Sequence, residues 1–273
     1  MSTPGNGLPA LAYLGLSSGS GKSVLSYATL RALHDRGVRA APFKAVSVLE
    51  RHEDETAVHQ HCRAARVRYH SDMNPLVLHL TDEHTGLLRL HGDPLGTVRR
   101  LGSDTVWLPD LSTESRQVAT TEIQDAARRV ARSCDFTVVE GSGGVADVPE
   151  DVANTTAVEV LEAGVVVAAN AQRTGHAAGL AGIANVLGPR IRLLGCVLTN
   201  IPDAFAGPEI LHPVTGPGFP RGLGFLPHVR AWQTEPGSED ALRILAAQAA
   251  GAVDAVLASC ADSAPTMDGV GPR

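Results

Sequence analysis

The chain contains two lysines, Lys22 and Lys44; every other strongly basic residue is arginine. Both lysines stand where phosphate chemistry needs a fixed cation. Lys22 lies in the stretch Leu11 to Leu25, which holds Gly15, Ser18, Gly19, Ser20, Gly21, Lys22, Ser23 and Val24. The apolar run Leu11 to Leu16 has the length of a buried strand. Beyond the Gly/Ser segment, Val24, Leu25, Ala28, Leu30 and Leu33 recur at helical spacing as far as Gly37. Strand, glycine-rich loop and helix together form the setting of a phosphate-binding loop. Backbone N–H groups from Ser18 to Val24 are expected to cradle phosphates. The helix directs roughly half a positive charge at the same point. Lys22 is expected to reach the outer phosphates of ATP, and the Ser23 hydroxyl to take a Mg²⁺ ligand position. The spacing is unusual, because Gly15 sits one residue earlier than the common motif requires.

Lys44 ends a second apolar stretch, Val38 to Phe43. It therefore falls just past a strand's carboxyl end, where open α/β sheets bind ligands. A third stretch, Phe136 to Val139, runs into Glu140-Gly141-Ser142-Gly143-Gly144. A carboxylate at the tip of a core strand, followed by glycines, is placed to hold Mg²⁺ beside the phosphate loop. Seven of the eleven histidines fall between His52 and His91. On a helix over Glu53 to Val67, His59 and His61 face different ways, so His59-Gln60-His61-Cys62 reads as imidazoles exposed on a helix or lining a substrate pocket, not as a metal site.

The elements that must carry these residues alternate between strand and helix. Further strands are expected at Leu76–Leu80, Leu87–Leu90, Val165–Ala169, Leu193–Leu198 and Leu223–Leu226, with helices at Thr120–Ser133, Ala177–Leu187 and Glu239–Leu257. The pair Leu76–Leu80 and Leu87–Leu90 is expected as a hairpin at a sheet edge, with turn chemistry in Gly92-Asp93-Pro94-Leu95-Gly96. Residues 97–115 give little pattern; Trp107, Pro109 and Asp110 suggest a loop that shapes a substrate pocket. Alternation of this kind implies an α/β fold with a doubly wound, mostly parallel sheet of P-loop NTPase type. We expect one domain over residues 9–260, with flexible termini at 1–8 and 261–273.

With 273 residues and 44% apolar content, the chain can bury one large core. A net charge of −6 without basic runs argues against nucleic-acid or anionic-membrane partners. The four cysteines have no paired spacing, which fits a reducing cytoplasm. No apolar run approaches a membrane span, and the first residues do not form a secretion signal.

Several strand ends, taken together and in order, resemble one superfamily. The five residues between Gly15 and Gly21 match the loop of dethiobiotin synthetase and of the cobyric and cobyrinic acid amide synthases. Ala41-Pro42-Phe43-Lys44-Ala45, Asp72-Met73-Asn74-Pro75, Gly92-Asp93-Pro94-Leu95-Gly96, Val139-Glu140-Gly141-Ser142-Gly143, Asp151-Val152-Ala153-Asn154 and Leu223-Gly224-Phe225-Leu226-Pro227 resemble the synthetase domain of cobyric acid synthase. The resemblance spans roughly residues 10–230. It implies an ATP-dependent carbon–nitrogen ligase that activates a carboxylate as an acyl phosphate, which ammonia or an amine then attacks. Lys22, Lys44 and Glu140 would be catalytic. Mg²⁺ would be held by Ser23, Glu140 and Glu53, with Asp54 and Glu55 as rivals to Glu53. Asn200 and Pro227 would lie against adenine. Asp72, Asn74, Ser142, Asn154 and Arg173 would face a small carboxylic acid. A homodimer is expected.

The chain also departs from that pattern. Gly19 stands where the family has an acidic or amide residue. Val46-Ser47-Val48 replaces Gln-Asn-Met, and Asn170 and Gln172 replace acidic positions. A carboxylic acid other than the large corrinoid is therefore expected. Without the family's glutamine-hydrolysing domain, the nitrogen would come from free ammonia, a substrate amine or a separate glutaminase. A dethiobiotin-synthetase-like ring closure and a nucleotide-switch ATPase remain as alternatives.

Overall fold

The computed structural model describes residues 9–50, 55–102, 105–145, 147, 152–173, 175–202, 218–228 and 238–262. Its larger sheet has six strands: β1 (Ala10–Gly15), β2 (Ala40–Phe43), β8 (Phe136–Glu140), β9 (Gly164–Asn170), β10 (Leu193–Ile201) and β11 (Gly222–Pro227). Their order is β11-β10-β9-β1-β8-β2, and every neighbouring pair is parallel. The doubly wound sheet expected from the alternation is thus present. β1 lies between β8 and β9, so the strand order reverses at β1 and a crevice opens at its carboxyl end.

Alternation along β1 assigns its two faces. Leu11 and Tyr13 pack with α1 (Lys22–Asp35) and α6 (Glu239–Asp262). Ala10, Ala12 and Leu14 pack on the other side with α3 (Thr113–Ser133), α4 (Val152–Val160) and α5 (His176–Leu187). Strands covered on both faces read as continuous apolar runs, which is why these were visible. α1 stops at a Schellman motif. Gly37 takes a left-handed φ of 75°, its N–H bonds to His34, and the Val38 N–H bonds to Leu33 at 2.9 Å. That turn delays β2 to Ala40. Pro42 is tolerated there because β2 is the sheet's edge.

The segment between Lys44 and α3 corrects the sequence reading. The hairpin is real, but it does not edge the main sheet. β3 (Val46–Leu49), β4 (Leu76–Leu80), β5 (Thr85–Leu90), β6 (Asp93–Leu101) and β7 (Thr105–Trp107) form a second, mixed sheet in that order. The turn between β5 and β6 is His91-Gly92 alone, both with positive φ, as a two-residue hairpin requires. Asp93 to Gly96 therefore belong to strand β6. Trp107 closes β7, and Asp110 is tied to Arg99 at 2.7 Å. Leu76, Leu78, Leu88 and Val98 of this sheet join the same core as Ala12 and Val139.

Helix α3 starts seven residues before Thr120, where the Ser112 hydroxyl caps it by accepting the Ser115 N–H at 3.1 Å. α2 covers Ala57–Ala65, shorter than expected. One stretch of α6, Arg243–Asp262, is long and apolar enough to cross a membrane, with a mean hydropathy of 1.6. The expectation that no run approaches that length does not hold. Leu245, Ala249, Val253 and Val256 of this helix are buried in the core on the α1 face. Residues 261 and 262 are helical, while 1–8 and 263–273 lie outside the described residues.

Candidate nucleotide and carboxylate site

The phosphate loop leaves the carboxyl end of β1. It is stitched to the sheet by Leu16 N–H to Ala168 O at 3.3 Å and by Val145 N–H to Gly15 O at 2.8 Å. The early glycine has a steric reason. A Cβ on Gly15 would lie 2.1 Å from the Ser20 hydroxyl oxygen and 2.9 Å from Lys22 Nζ. Gly21, at φ 89°, caps α1, and a Cβ there would overlap Thr199 at 2.8 Å. Lys22 is buried, and its ammonium donates to the Gly143 carbonyl at 2.7 Å and the Ser17 carbonyl at 3.3 Å. The Ser20 hydroxyl is buried and has no hydrogen-bond partner among the described residues. Ser18, Ser23 and Val24 are half-buried along the loop and first turn.

Glu140 brings four of the expected elements together. Its Oε1 accepts the Ser23 hydroxyl at 2.8 Å and the Lys44 ammonium at 2.6 Å. Its Oε2 lies 3.1 Å from His61 Nε2. Burial raises the cost of its charge, but Lys44, His61 once it is protonated in acid, and Lys22 more than offset this and hold the carboxyl at about 2. Burial likewise lowers the pKa of His61, so at neutral pH the imidazole is uncharged. Its Nε2 is hydrogen-bonded to the Ser23 carbonyl at 3.3 Å, and a carbonyl can only accept, which assigns the proton to Nε2; Glu140 Oε2 has no hydrogen-bond partner among the described residues.

The other expected site residues divide. Arg173 is exposed beside the loop, and a Cβ on Gly19 would come within 3.2 Å of its guanidinium. Asn200, next to last in β10, has a φ of 59°; its side-chain oxygen meets His228 Nδ1, and Pro227 closes the neighbouring strand. Asn74 is buried, and its amide donates to the Lys44 carbonyl at 2.9 Å, fixing the backbone beneath that lysine. Ser142 donates to the Val46 carbonyl, and Asn154 donates to the Ser142 carbonyl at 2.8 Å. These three side chains brace the site from below. Asp72 is drawn elsewhere, to Arg129 at 2.7 Å and His70 at 3.2 Å. Glu53, Asp54 and Asp151 lie outside the described residues, and Glu55 turns outward to Arg63 at 2.8 Å.

Sequence reasoning missed His61, Asn170 and Thr199 as members of the site. His61 had a legible signal: it falls on the buried stripe Val58-His61-Cys62-Ala65, and an imidazole on an apolar stripe needs a polar partner. His59 instead stacks on Tyr69, and Cys62 packs on Met73, so the histidine-rich stretch of α2 splits as its faces predict. Thr199 carries no motif, and Asn170 was legible only as a departure from an acidic position. Only the folded strand ends bring them to the loop.

No family model matches the chain. In sequence it is similar to a probable cobyric acid synthase of Methanothermobacter thermautotrophicus, with 29% identity over 78% of this chain and 44% of that protein. It is also similar to a cobyric acid synthase of Novosphingobium aromaticivorans, with 30% identity over 84% of this chain and 47% of that protein. The chain thus spans about half the length of the curated relatives it matches. In structure it is similar to the septum site-determining protein MinD of Pyrococcus horikoshii in complex with Mg-ADP. That match has a TM-score of 0.50 at 12% identity and covers 93% of this chain and 95% of that one. The chain has a P-loop NTPase fold, and its sequence resembles that of the cobyric acid synthases over most of its length.

Proposed function

We propose that the chain is an ATP-dependent ligase that activates a small carboxylic acid for carbon–nitrogen bond formation. The observation that carries the proposal is Glu140. One buried carboxylate joins the loop hydroxyl of Ser23 to the second-strand lysine Lys44, at the tip of a core strand. The surroundings fit Mg·ATP. The unpartnered Ser20 hydroxyl and the glycine positions with no room for a Cβ suit a loop wrapped around phosphates. Ser23 and Glu140 are the hard oxygen donors that Mg²⁺ prefers, and they would hold it, with Glu53 as a further ligand. The relatives' names and the Mg-ADP bound to the Pyrococcus protein support the same assignment.

When bound, Mg·ATP supplies the phosphoryl group that turns a carboxylate into an acyl phosphate open to ammonia or an amine. The chain's own residues position and neutralise. Lys22 exchanges its carbonyl partners for phosphate oxygens. Lys44 leans from β2 over the same point, ready to hold the acid's carboxylate or the outer phosphate. Its backbone is fixed by Asn74 and by its own N–H bond to the Met73 carbonyl at 2.9 Å. His61 stands 3.1 Å from the second oxygen of Glu140, which has no hydrogen-bond partner among the described residues and is left for a ligand. Arg173 is the substrate-side candidate that reaches solvent. A homodimer and a separate glutaminase remain part of this proposal.

The deciding experiment incubates the chain with Mg·ATP, ammonia and a panel of carboxylic acids, and measures phosphate release and amide formation. Acid-dependent release that requires ammonia supports the ligase. Release that requires bicarbonate instead supports a dethiobiotin-synthetase-like ring closure. Turnover stimulated by a protein partner and indifferent to every acid would sink both and favour a nucleotide switch, the reading to which the MinD-like fold lends weight. Such switches carry an additional early lysine in the loop, and here Lys22 is the loop's one lysine.

A further inference from the structure

The phosphate loop is tied from outside by side chains that belong to neither the loop nor the Glu140 cluster. Asn170, the last residue of β9, donates its Nδ2 to the Gly19 carbonyl at 3.1 Å. Thr199, near the end of β10, donates its hydroxyl to the Ser20 carbonyl at 2.7 Å. A trans peptide carries its C=O and the following N–H on opposite sides. Drawing the Gly19 and Ser20 carbonyls toward β9 and β10 therefore turns the N–H groups of Ser20 and Gly21 away from those strands. This is the orientation that a concave, anion-binding run of backbone N–H groups needs. Gly19 and Gly21 supply the positive φ values of 71° and 89° that such a run uses.

Asn170 does more than hold one carbonyl. Its Oδ1 accepts the Gln172 N–H at 3.0 Å and faces Asn200 Nδ2 at 3.4 Å. These two donors fix which way the amide is turned, and leave the nitrogen for Gly19. Asn200 in turn meets His228 through its side-chain oxygen, and its carbonyl accepts Gln172 Nε2 at 2.9 Å. A continuous hydrogen-bonded path thus runs from the loop, through Asn170, to the strand end where Asn200 and His228 stand.

We propose that Thr199 and Asn170 are positioning residues that hold the phosphate loop in its binding form before a ligand arrives, and that Asn170 also couples the loop to the strand end of Asn200 and His228, where this proposal places the base. The proposal rests on the nucleotide-binding reading above, and its test separates the two. Calorimetry on the full chain measures the affinity for ADP, which uses both ends, and for inorganic tripolyphosphate, which uses the loop alone. Thr199→Val keeps the side chain's shape and removes the hydroxyl. It should weaken both ligands by the same factor, about tenfold, and Thr199→Ser should restore both. Asn170→Ala should weaken tripolyphosphate about tenfold and ADP about threefold more than that. Thermal melts of each variant confirm that the fold survives. If Asn170→Ala does not fold, Asn170→Ser takes its place, with the same two ligands and the same expected split.

Affinities within twofold of wild type in both Thr199→Val and the Asn170 variant overturn the clasp. A serine variant as weak as the valine variant overturns the role of the hydroxyl. Equal losses on both ligands at position 170 overturn the coupling. If the wild-type chain binds neither ligand, the nucleotide reading itself fails, and the clasp with it.

Discussion

Two clusters of carboxylates and cations differ in what is left over. Around Glu140 one buried carboxylate meets Ser23, Lys44 and His61, and all four come from separate segments of the chain. Around Arg129 one half-exposed guanidinium meets Asp72 at 2.7 Å and also Glu122, which accepts His91 at 2.9 Å. Asp72, His91 and Glu122 lie close enough together to hold a metal ion. Arg129 already supplies the positive charge there, and solvent screens the rest. The Glu140 group has the opposite character. Its charges are dry, its oxygen donors are hard, and Glu140 Oε2 has no hydrogen-bond partner among the described residues, nor has the loop hydroxyl of Ser20. A saturated surface network is a structural joint, whereas a buried network with spare valences is a place where a ligand completes the bonding.

The sharpest way to break this contrast is at Lys22. Lys22→Ala should reduce nucleotide turnover on the order of 100-fold or more, since the cation that faces the phosphates is lost. Near-wild-type turnover would remove the loop from the chemistry. Next is Glu140→Gln, which preserves shape and leaves Lys44 without its counter-charge. It should abolish most Mg²⁺-dependent turnover and lower stability by about 3 kcal/mol in denaturant titrations. An unchanged Mg²⁺ requirement would take Glu140 out of the site.

A pH series gives a smaller and more diagnostic effect. The Glu140 carboxyl is held at about 2, below its ordinary 4.5. A depressed carboxylate contributes its full stability above pH 4.5 and loses it as pH falls toward 2. The lowered His61 acts in the same direction, because a buried neutral imidazole resists the proton that the unfolded chain accepts below about 6.5. Denaturant midpoints of wild type should therefore fall steeply between pH 6 and pH 3, and Glu140→Gln should flatten the acid limb. Equal slopes in the two proteins would contradict the assignment. Asp72→Asn should have the smallest effect. Its ion pair is partly exposed, so a change within about 1 kcal/mol is expected, and that change should shrink in high salt. A loss as large as that of Glu140→Gln would erase the distinction between the clusters.

Much of the main sheet was legible because its strands are buried on both faces and read as unbroken apolar runs. Lys44 and Glu140 were visible because each stands one step past such a run, and Lys22 because it opens a helix after the Gly/Ser loop that follows one. The second sheet was hidden for physical reasons. β3 has only four residues, with Ser47 among them, and β6 carries Pro94, Gly96, Arg99 and Arg100 along a largely exposed strand. Neither presents the alternation that marks a half-buried strand. α3 was read too short because its first turns are polar, although Ser112 with Glu114 and Ser115 was available as a start signal. His61 was legible in principle as a polar member of an apolar stripe. The roles of Asn170 and Thr199 were not, since they exist only once β9 and β10 end side by side.

Gly15 has a practical consequence. The volume that its missing Cβ leaves is filled by the Ser20 hydroxyl and the tip of Lys22, and by no charge of its own. An alanine there would displace both groups while leaving the chain's net charge and every titratable side chain unaltered. Gly15→Ala is thus an off-allele that acts by displacement and removes no charge. A cell or pathway in which this protein is suspected to act can be tested with it, with Lys22 and Glu140 both still present.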